Sequence, residues 1–182
     1  SAQLVKLKEL ARNTIGASNE IFELELETLL TLRSQIDIEI NKLENKIEEI
    51  IKELDPPTLS IKGIGTISCA GIISEFGDLS RFKSADAMVA FAGIEPSISE
   101  SGTESHTGKM VKHGSGHLRN ALIYGSFTLL GRYPVLYDYY KKKRSQGKHH
   151  LSAVGAVSNK LTTVIYAVLR DGKPYEPVKF VW

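Results

Sequence analysis

One cysteine, Cys69, one tryptophan and two methionines stand among 182 residues. A lone thiol excludes a disulfide framework within the chain and any zinc site built on paired cysteines. Long apolar runs are missing too. The longest are short and interrupted by charge, which predicts no membrane-spanning helix. No basic-then-apolar segment opens the chain, so no secretory signal is expected and the expected location is the cytoplasm. No methionine stands first either; the opening Ser-Ala-Gln reads as the start of a piece cut from something longer. The rest of the composition is ordinary for a folded domain: 42% hydrophobic and 24% charged residues, too apolar for disorder.

The net charge of +2 conceals a segregation. Residues 19–55 hold eleven acidic residues against four basic ones, a net charge of −7. Residues 101–150 hold nine basic residues against two acidic ones, a net charge of +7, and all five histidines. Charge divided in this way suggests two surfaces with different partners, the basic one suited to a polyanion. Two ordinary solvated faces would give the same pattern.

Along the chain, residues 3–13 read as a short amphipathic helix with Leu4, Leu7, Leu10 and Ala11 on one face. Ser18 or Asn19 is placed to cap a second helix. From Glu20 to Leu54 the apolar residues Phe22, Leu26, Leu29, Ile36, Ile40, Leu43, Ile47, Ile50 and Leu54 step by threes and fours, with Arg33 the exception. That spacing predicts a coiled-coil helix, roughly 50 Å long at 1.5 Å per residue. Its stripe needs a partner: the first helix, another domain or a second copy of the chain. Asp55-Pro56-Pro57 ends it, because proline lacks an amide proton and disfavours α geometry in the residue before it. The expected domains are therefore 1–18, a helix and linker; 19–55, the coiled-coil arm; and 56–182, a C-terminal helical domain.

Within that domain the pattern predicts helices over 66–76, 85–92 (capped by Ser84), 115–131 (capped by Ser115), 134–143 and 152–170. Residues 94–113 are polar and show no period, so they are expected to form a loop. No strand alternation stands out, and the expected fold class is all-α.

Three constellations could carry chemistry. Gly63-Ile64-Gly65 before Thr66 joins two helical segments by a tight turn, which leaves the first amides of the second segment free to hold a phosphate without reading sequence. The same residues would serve in a plain turn. The next segment gathers Ser97, Ser99, Ser101, Ser105, His106, Lys109, Lys112, His113, His117 and Arg119. A serine attacks phosphorus only when its proton is removed and the developing charge is stabilised; Lys109, Lys112 and Arg119 could clamp a phosphate and a histidine could serve as base. A flexible basic loop would look the same, and no GxSxG pattern supports hydrolase chemistry. Third, His113 and His117 are spaced to share a helix face, but no glutamate adjoins the first and Gly114 and Gly116 interrupt the helix, so no metal site is assigned in this chain. Tyr133, Tyr137, Tyr139 and Tyr140 beside Lys141–Arg144 mix aromatics with bases as nucleic-acid surfaces do, or are core residues with lysines reaching past them.

The segments LSIKGIGTISCAGIISEFGDLSRFKSADAMVAFAGIEP and SISESGTESHTGKMVKHGSGHLRNALIYGS resemble the C-terminal domain of insertion-sequence transposases of the 110/116/902 type. The resemblance rests on Gly63–Gly65, Glu75–Asp78, Phe82–Ser84, Gly93–Pro96, Ser101-Gly102, Gly108-Lys109, Lys112–Gly114 and Leu118-Arg119, and extends over about residues 58–175. Lys62 departs from it where a proline is usual, and Glu100 and Glu104 add negative charge.

The resemblance implies a DNA recombinase half. It places a metal-binding acidic domain, taking a divalent ion such as Mg, in an N-terminal part outside this sequence. It makes residues 20–54 the family's coiled coil, through which the chain is expected to form a homo-oligomer. Ser101 is implied as the nucleophile on DNA, and a guide RNA as a further partner. Gly63, Gly65, Thr66, Lys109, Lys112 and Arg119 are the expected phosphate contacts, and this fragment alone is expected to be inactive. Two other readings stay open: a non-enzymatic helix-hairpin-helix nucleic-acid module on a coiled-coil arm, and a coiled-coil assembly protein. Nucleic-acid binding that weakens steeply with salt would separate them.

Overall fold

Asn19 opens the long helix that the heptads require. Its side-chain oxygen accepts the Ile21 amide at 2.9 Å. The computed structural model describes residues 2–13, 19–101, 104–111 and 113–176, of which 2–4, 96–101 and 104–109 are described by backbone alone; Ser18 lies outside the described residues. Contacts divide the chain into two units, residues 1–44 and 45–182.

The first unit holds α1 (Ala2–Arg12) and most of α2 (Glu20–Leu54). Acids at Glu20 and Glu23 and the base Lys52 suit the dipole at the two ends of α2. Ion pairs one turn apart lace it: Glu39–Lys42 and Lys46–Glu49 at 2.7 Å, Arg33–Asp37 at 3.7 Å. The heptad residues are exposed, from Phe22 at 65% to Ile40 at 46%, except for Ile47, which is half-buried. Ile51, within the second unit, is the one buried residue of the helix. Asp55, in the left-handed region at φ 42°, ends the helix, and Pro56 continues in extended geometry.

The second unit packs around α7 (His150–Asp171), which meets α4 (Ala85–Ala92), α5 (Gly116–Leu130) and α6 (Pro134–Ser145). Val154, Val157, Leu161 and Ile165 recur at helical spacing and are buried. Leu161 and Ile165 join Leu118, Leu122 and Leu129 of α5, Met88, Val89 and Ala92 of α4, and Cys69, Ile72 and Phe76 of α3 (Thr66–Phe76) in one core cluster. A polar seam runs through the core. Ser126 and Ser158 share a 2.9 Å hydrogen bond in which one hydroxyl donates to the other, leaving the accepting serine free to donate to the carbonyl four residues back, and Thr162 donates to the Ser158 carbonyl. Their polar atoms are thereby satisfied. Gly125 lets α5 approach closely: a β-carbon there would lie 3.3 Å from Leu161 Cδ2. The Ser84 and Ser115 caps form as expected, accepting the amides of Ala87 and Leu118.

One expectation is qualified and another is corrected. By length and apolar composition α7 is sufficient to cross a membrane, because its polar positions are filled mainly by Ser, Thr and Asn; 56% of the apolar stretch is buried within the unit, as in a core helix. And the segment 94–113, expected as a loop, carries an antiparallel hairpin, β1 (Pro96–Ser101) with β2 (Glu104–Met110). Ser101 pairs with Glu104, Glu100 with Ser105, Ser99 with His106 and Ile98 with Thr107, and the register is irregular between Ile98 and Pro96, which pairs with Met110. Ile98 and Met110 are its only large apolar residues, so no two-residue hydrophobic period marks it. The packed body of the chain is all-α, as its sequence predicts.

Candidate nucleic-acid interface

The hairpin is rooted where α4 ends. Gly93 closes α4 in the left-handed conformation at φ 64°. Ile94 is buried, and the Val111 amide donates to the Glu95 carbonyl at 3.0 Å. Gly114 then passes so close to α4 that a β-carbon on it would lie 1.9 Å from the Phe91 carbonyl oxygen and 2.7 Å from the Ala92 carbonyl carbon. Only glycine fits that approach. From the other side Asn159 of α7, with its amide turned to satisfy both neighbours, donates to the carbonyls of Gly155 (3.2 Å) and Ile94 (3.3 Å). Met110 rests near Gly155, with Cε 3.3 Å from where a β-carbon would stand.

This anchoring places the expected site residues. Ser101 is the last residue of β1, at the end of the hairpin far from its root. Lys109 is the penultimate residue of β2, beside the root. Lys109 stands five residue steps along the strand from Glu104, Ser101's partner, or about 17 Å at 3.4 Å per residue. The backbone therefore sets Ser101 and Lys109 at opposite ends of one hairpin and does not bring them together. Lys112 lies outside the described residues. Arg119, in the first turn of α5, is half-buried and donates to the Gly114 carbonyl at 3.4 Å, so it too belongs to the root.

The Gly63–Gly65 turn uses its two glycines in different roles. A single 3-10 turn, Pro57–Ser60, leads into it. Gly63 has φ +116°, a conformation side chains rarely adopt, and packs on Thr128 and Leu129. Tyr133 holds the turn from outside by accepting the Lys62 amide at 2.9 Å. Gly65 is exposed and extended at φ −79°, with open space where a β-carbon would go, and it precedes α3 with no side-chain cap. The first amides of α3, beginning at Thr66, therefore carry the positive end of the helix dipole uncapped by a side chain.

Other candidates take structural roles. Cys69 is buried against Thr58, sulfur to oxygen 3.0 Å; burial pushes its thiol up while the Thr58 hydrogen bond acts against that, so it is a core group and no ready nucleophile. His113 and His117 are exposed. Among the described residues no three His, Cys, Asp or Glu side chains gather as a metal site would need. The four tyrosines divide. Tyr133 braces the turn, while exposed Tyr137 stacks on Tyr140 at 6.2 Å with Lys141 4.5 Å above its ring. The sequence reading missed Gly114 and Asn159 as parts of the hairpin's root. The Lys-x-Gly step of the resemblance pointed at the first; a lone amide on the apolar face of α7 was the only signal of the second.

Residues 58–141 match the family described as Transposase IS116/IS110/IS902 family. The chain is similar to the 43.6 kDa protein of insertion element IS110 from Streptomyces coelicolor, 29% identical over 136 residues, which cover 74% of this chain and 34% of that protein. It is 31% identical over 145 residues to the 42 kDa protein of insertion element IS900 from Mycobacterium paratuberculosis, covering 78% of this chain and 36% of the relative. It is 31% identical over 119 residues to the pilin gene-inverting protein of Moraxella bovis, covering 64% of this chain and 37% of the relative. The chain thus spans about a third of the length of these curated relatives. Through residues 58–141, which hold both the Gly63–Gly65 turn and the hairpin, this chain belongs to the IS116/IS110/IS902 transposase family.

Proposed function

We propose that this chain is the C-terminal part of a DNA transposase or recombinase that moves an insertion sequence, and that Ser101 is its nucleophile. The observation that carries the reading is a serine at the outer end of a hairpin rooted at Gly93, Gly114 and Asn159. In the reaction, the Ser101 hydroxyl gives its proton to a base and its oxygen attacks a backbone phosphorus. A phosphoserine diester forms, one DNA oxygen leaves and takes up a proton, and a later attack by a DNA hydroxyl reverses the exchange. No oxidant or reductant is needed. Gly63, Gly65 and Thr66 would hold backbone phosphate through amides, and Lys109, Lys112 and Arg119 would offset its charge near the hairpin's root.

The divalent ion expected for such chemistry is assigned to acidic residues in the rest of the full-length protein. The described side chains of this chain do not form a cluster suited to it, and no step here runs through it. The exposed seam of α2 over residues 20–54 would pair with a second copy. Such a protein would act in the bacterial cytoplasm at the nucleoid, with a structured RNA as a candidate guide.

In the full-length protein, Ser101→Ala should abolish strand cleavage while DNA binding stays within a few-fold, and Ser99→Ala or Ser105→Ala should do much less. Cleavage and joining by Ser101→Ala at the parent rate would mean the serine is not the nucleophile. That outcome would favour a non-enzymatic module gripping nucleic acid through the uncapped start of α3.

A further inference from the structure

A pocket of about 270 Å³ opens among α4, α6 and α7, lined by Asp86, Tyr139, Lys143, Lys148, Asn159 and Lys160 among others. It shares Asn159 with the root of the hairpin, and its lysines belong to neither the hairpin strands nor the Gly63–Gly65 turn. Two ammonium groups converge on one ring: Lys143 Nζ lies 5.2 Å and Lys160 Nζ 5.8 Å from the centre of Tyr139. Lys143, Lys148 and Lys160 are half-buried, whereas Asp86, the one carboxylate in the lining, is exposed. Among the described residues neither Lys143 nor Lys148 pairs with a carboxylate. Lys143 and Lys148 thus bring like charge to one concavity, and an anion there offsets it.

The surroundings say which kind. The run Lys141–Arg144 carries the positive surface along the rest of α6, and all four bases lie in its last two turns. A small free anion needs only the pocket; a polymer of phosphates uses the pocket and the helix beside it. The volume suits one phosphate group with its chain continuing outside, and the Tyr139 ring face is already taken by lysines, which disfavours a stacked base.

We propose that this pocket holds a backbone phosphate of nucleic acid, as a contact separate from the hairpin and the turn. The inference rests on the reading of the chain as a nucleic-acid-processing protein and adds a further point of grip to it. Lysines serve here as point charges on a phosphate, read no sequence, and leave the choice between DNA duplex and structured RNA to the rest of the surface.

The test uses the 182-residue chain with a DNA duplex of about 30 base pairs and a folded RNA hairpin as separate probes, each titrated at several salt concentrations. The triple variant Lys143→Gln, Lys148→Gln, Lys160→Gln is compared with a charge-matched variant, Lys141→Gln, Lys142→Gln, Arg144→Gln. The pocket variant should lose at least about tenfold in affinity for one probe and flatten its salt dependence by about one phosphate contact, with the charge-matched variant losing clearly less. The three pocket lysines should resist acetylation when that probe is bound, and Lys→Arg at the three positions should restore binding. The probe that protects them identifies the source of the phosphate. Equal loss in both variants, or unprotected pocket lysines in a bound complex, would overturn the pocket while leaving the transposase reading standing. A folded parent chain that binds neither probe would overturn both. Circular dichroism and thermal melting confirm that each variant is folded.

Discussion

Gly114 shows how far the hairpin depends on a single residue. A methyl group there would collide with the backbone of Phe91 and Ala92, not with a movable side chain. Gly114→Ala should therefore cost about 3 kcal/mol, the upper end for overpacking, or shift the hairpin's root; thermal melting and amide exchange at Val111 report which. Gly63 and Gly65 behave differently under substitution. Ala at Gly63 meets a strained backbone and should cost about 1–2 kcal/mol, whereas Gly65→Val finds ordinary extended geometry and open space. The valine chain should stay folded by circular dichroism yet bind duplex DNA more weakly across all sequences alike, since its side chain covers the start of α3. Unchanged affinity would remove the turn from the binding surface. Cys69 makes a pH prediction. Burial holds its thiol above the ordinary value of 9.0 in the folded chain. Below that value the thiol is protonated in both states and costs nothing; as pH rises past it the unfolded chain loses its proton first, so stability falls. The melting temperature should drop above about pH 9 in the parent and drop less in Cys69→Ala.

Among the elements, local chemistry made some structure plain and hid the rest for physical reasons. Asn19, Ser84 and Ser115 were readable as caps because a cap bonds only two or three residues onward. The end of α2 was readable because two prolines come after Asp55. The hairpin was not, since its strands carry two large apolar residues and its support comes from Gly114 and Asn159, the second distant in sequence. The α5–α7 seam was hidden for a related reason: serines and threonines count against a core until their hydroxyls are seen to bond the preceding turn. Of the candidate site, the turn and Ser101 could be named from local pattern and resemblance, but the separation of Ser101 from Lys109 required the register. For α2, the exposed seam predicts a partner helix, with each buried Leu or Ile worth about 1.5–3 kcal/mol. Ile40→Asp with Ile47→Asp should dissociate a dimer or unfold that helix, as light scattering and circular dichroism would register. A monomeric parent would rule out pairing between copies.

For the molecule as a whole, the two charge blocks of the sequence fall on different elements. The acidic block lies in α2, whose apolar seam calls for another helix; the basic block lies in the hairpin, α5 and α6, where nucleic acid is proposed to sit. The proposed function turns on one covalent bond, from the Ser101 oxygen to a DNA phosphorus, and that bond can be trapped. The full-length protein is incubated with a nicked substrate that cannot religate, digested with trypsin and studied by fragment mass spectrometry. Peptide 84–109, which also holds Ser84, Ser97, Ser99 and Ser105, should carry a nucleotide on Ser101, and the adduct should be lost in Ser101→Ala. A recombining protein whose adduct lies on another residue, or that forms no adduct at all, would contradict the assignment.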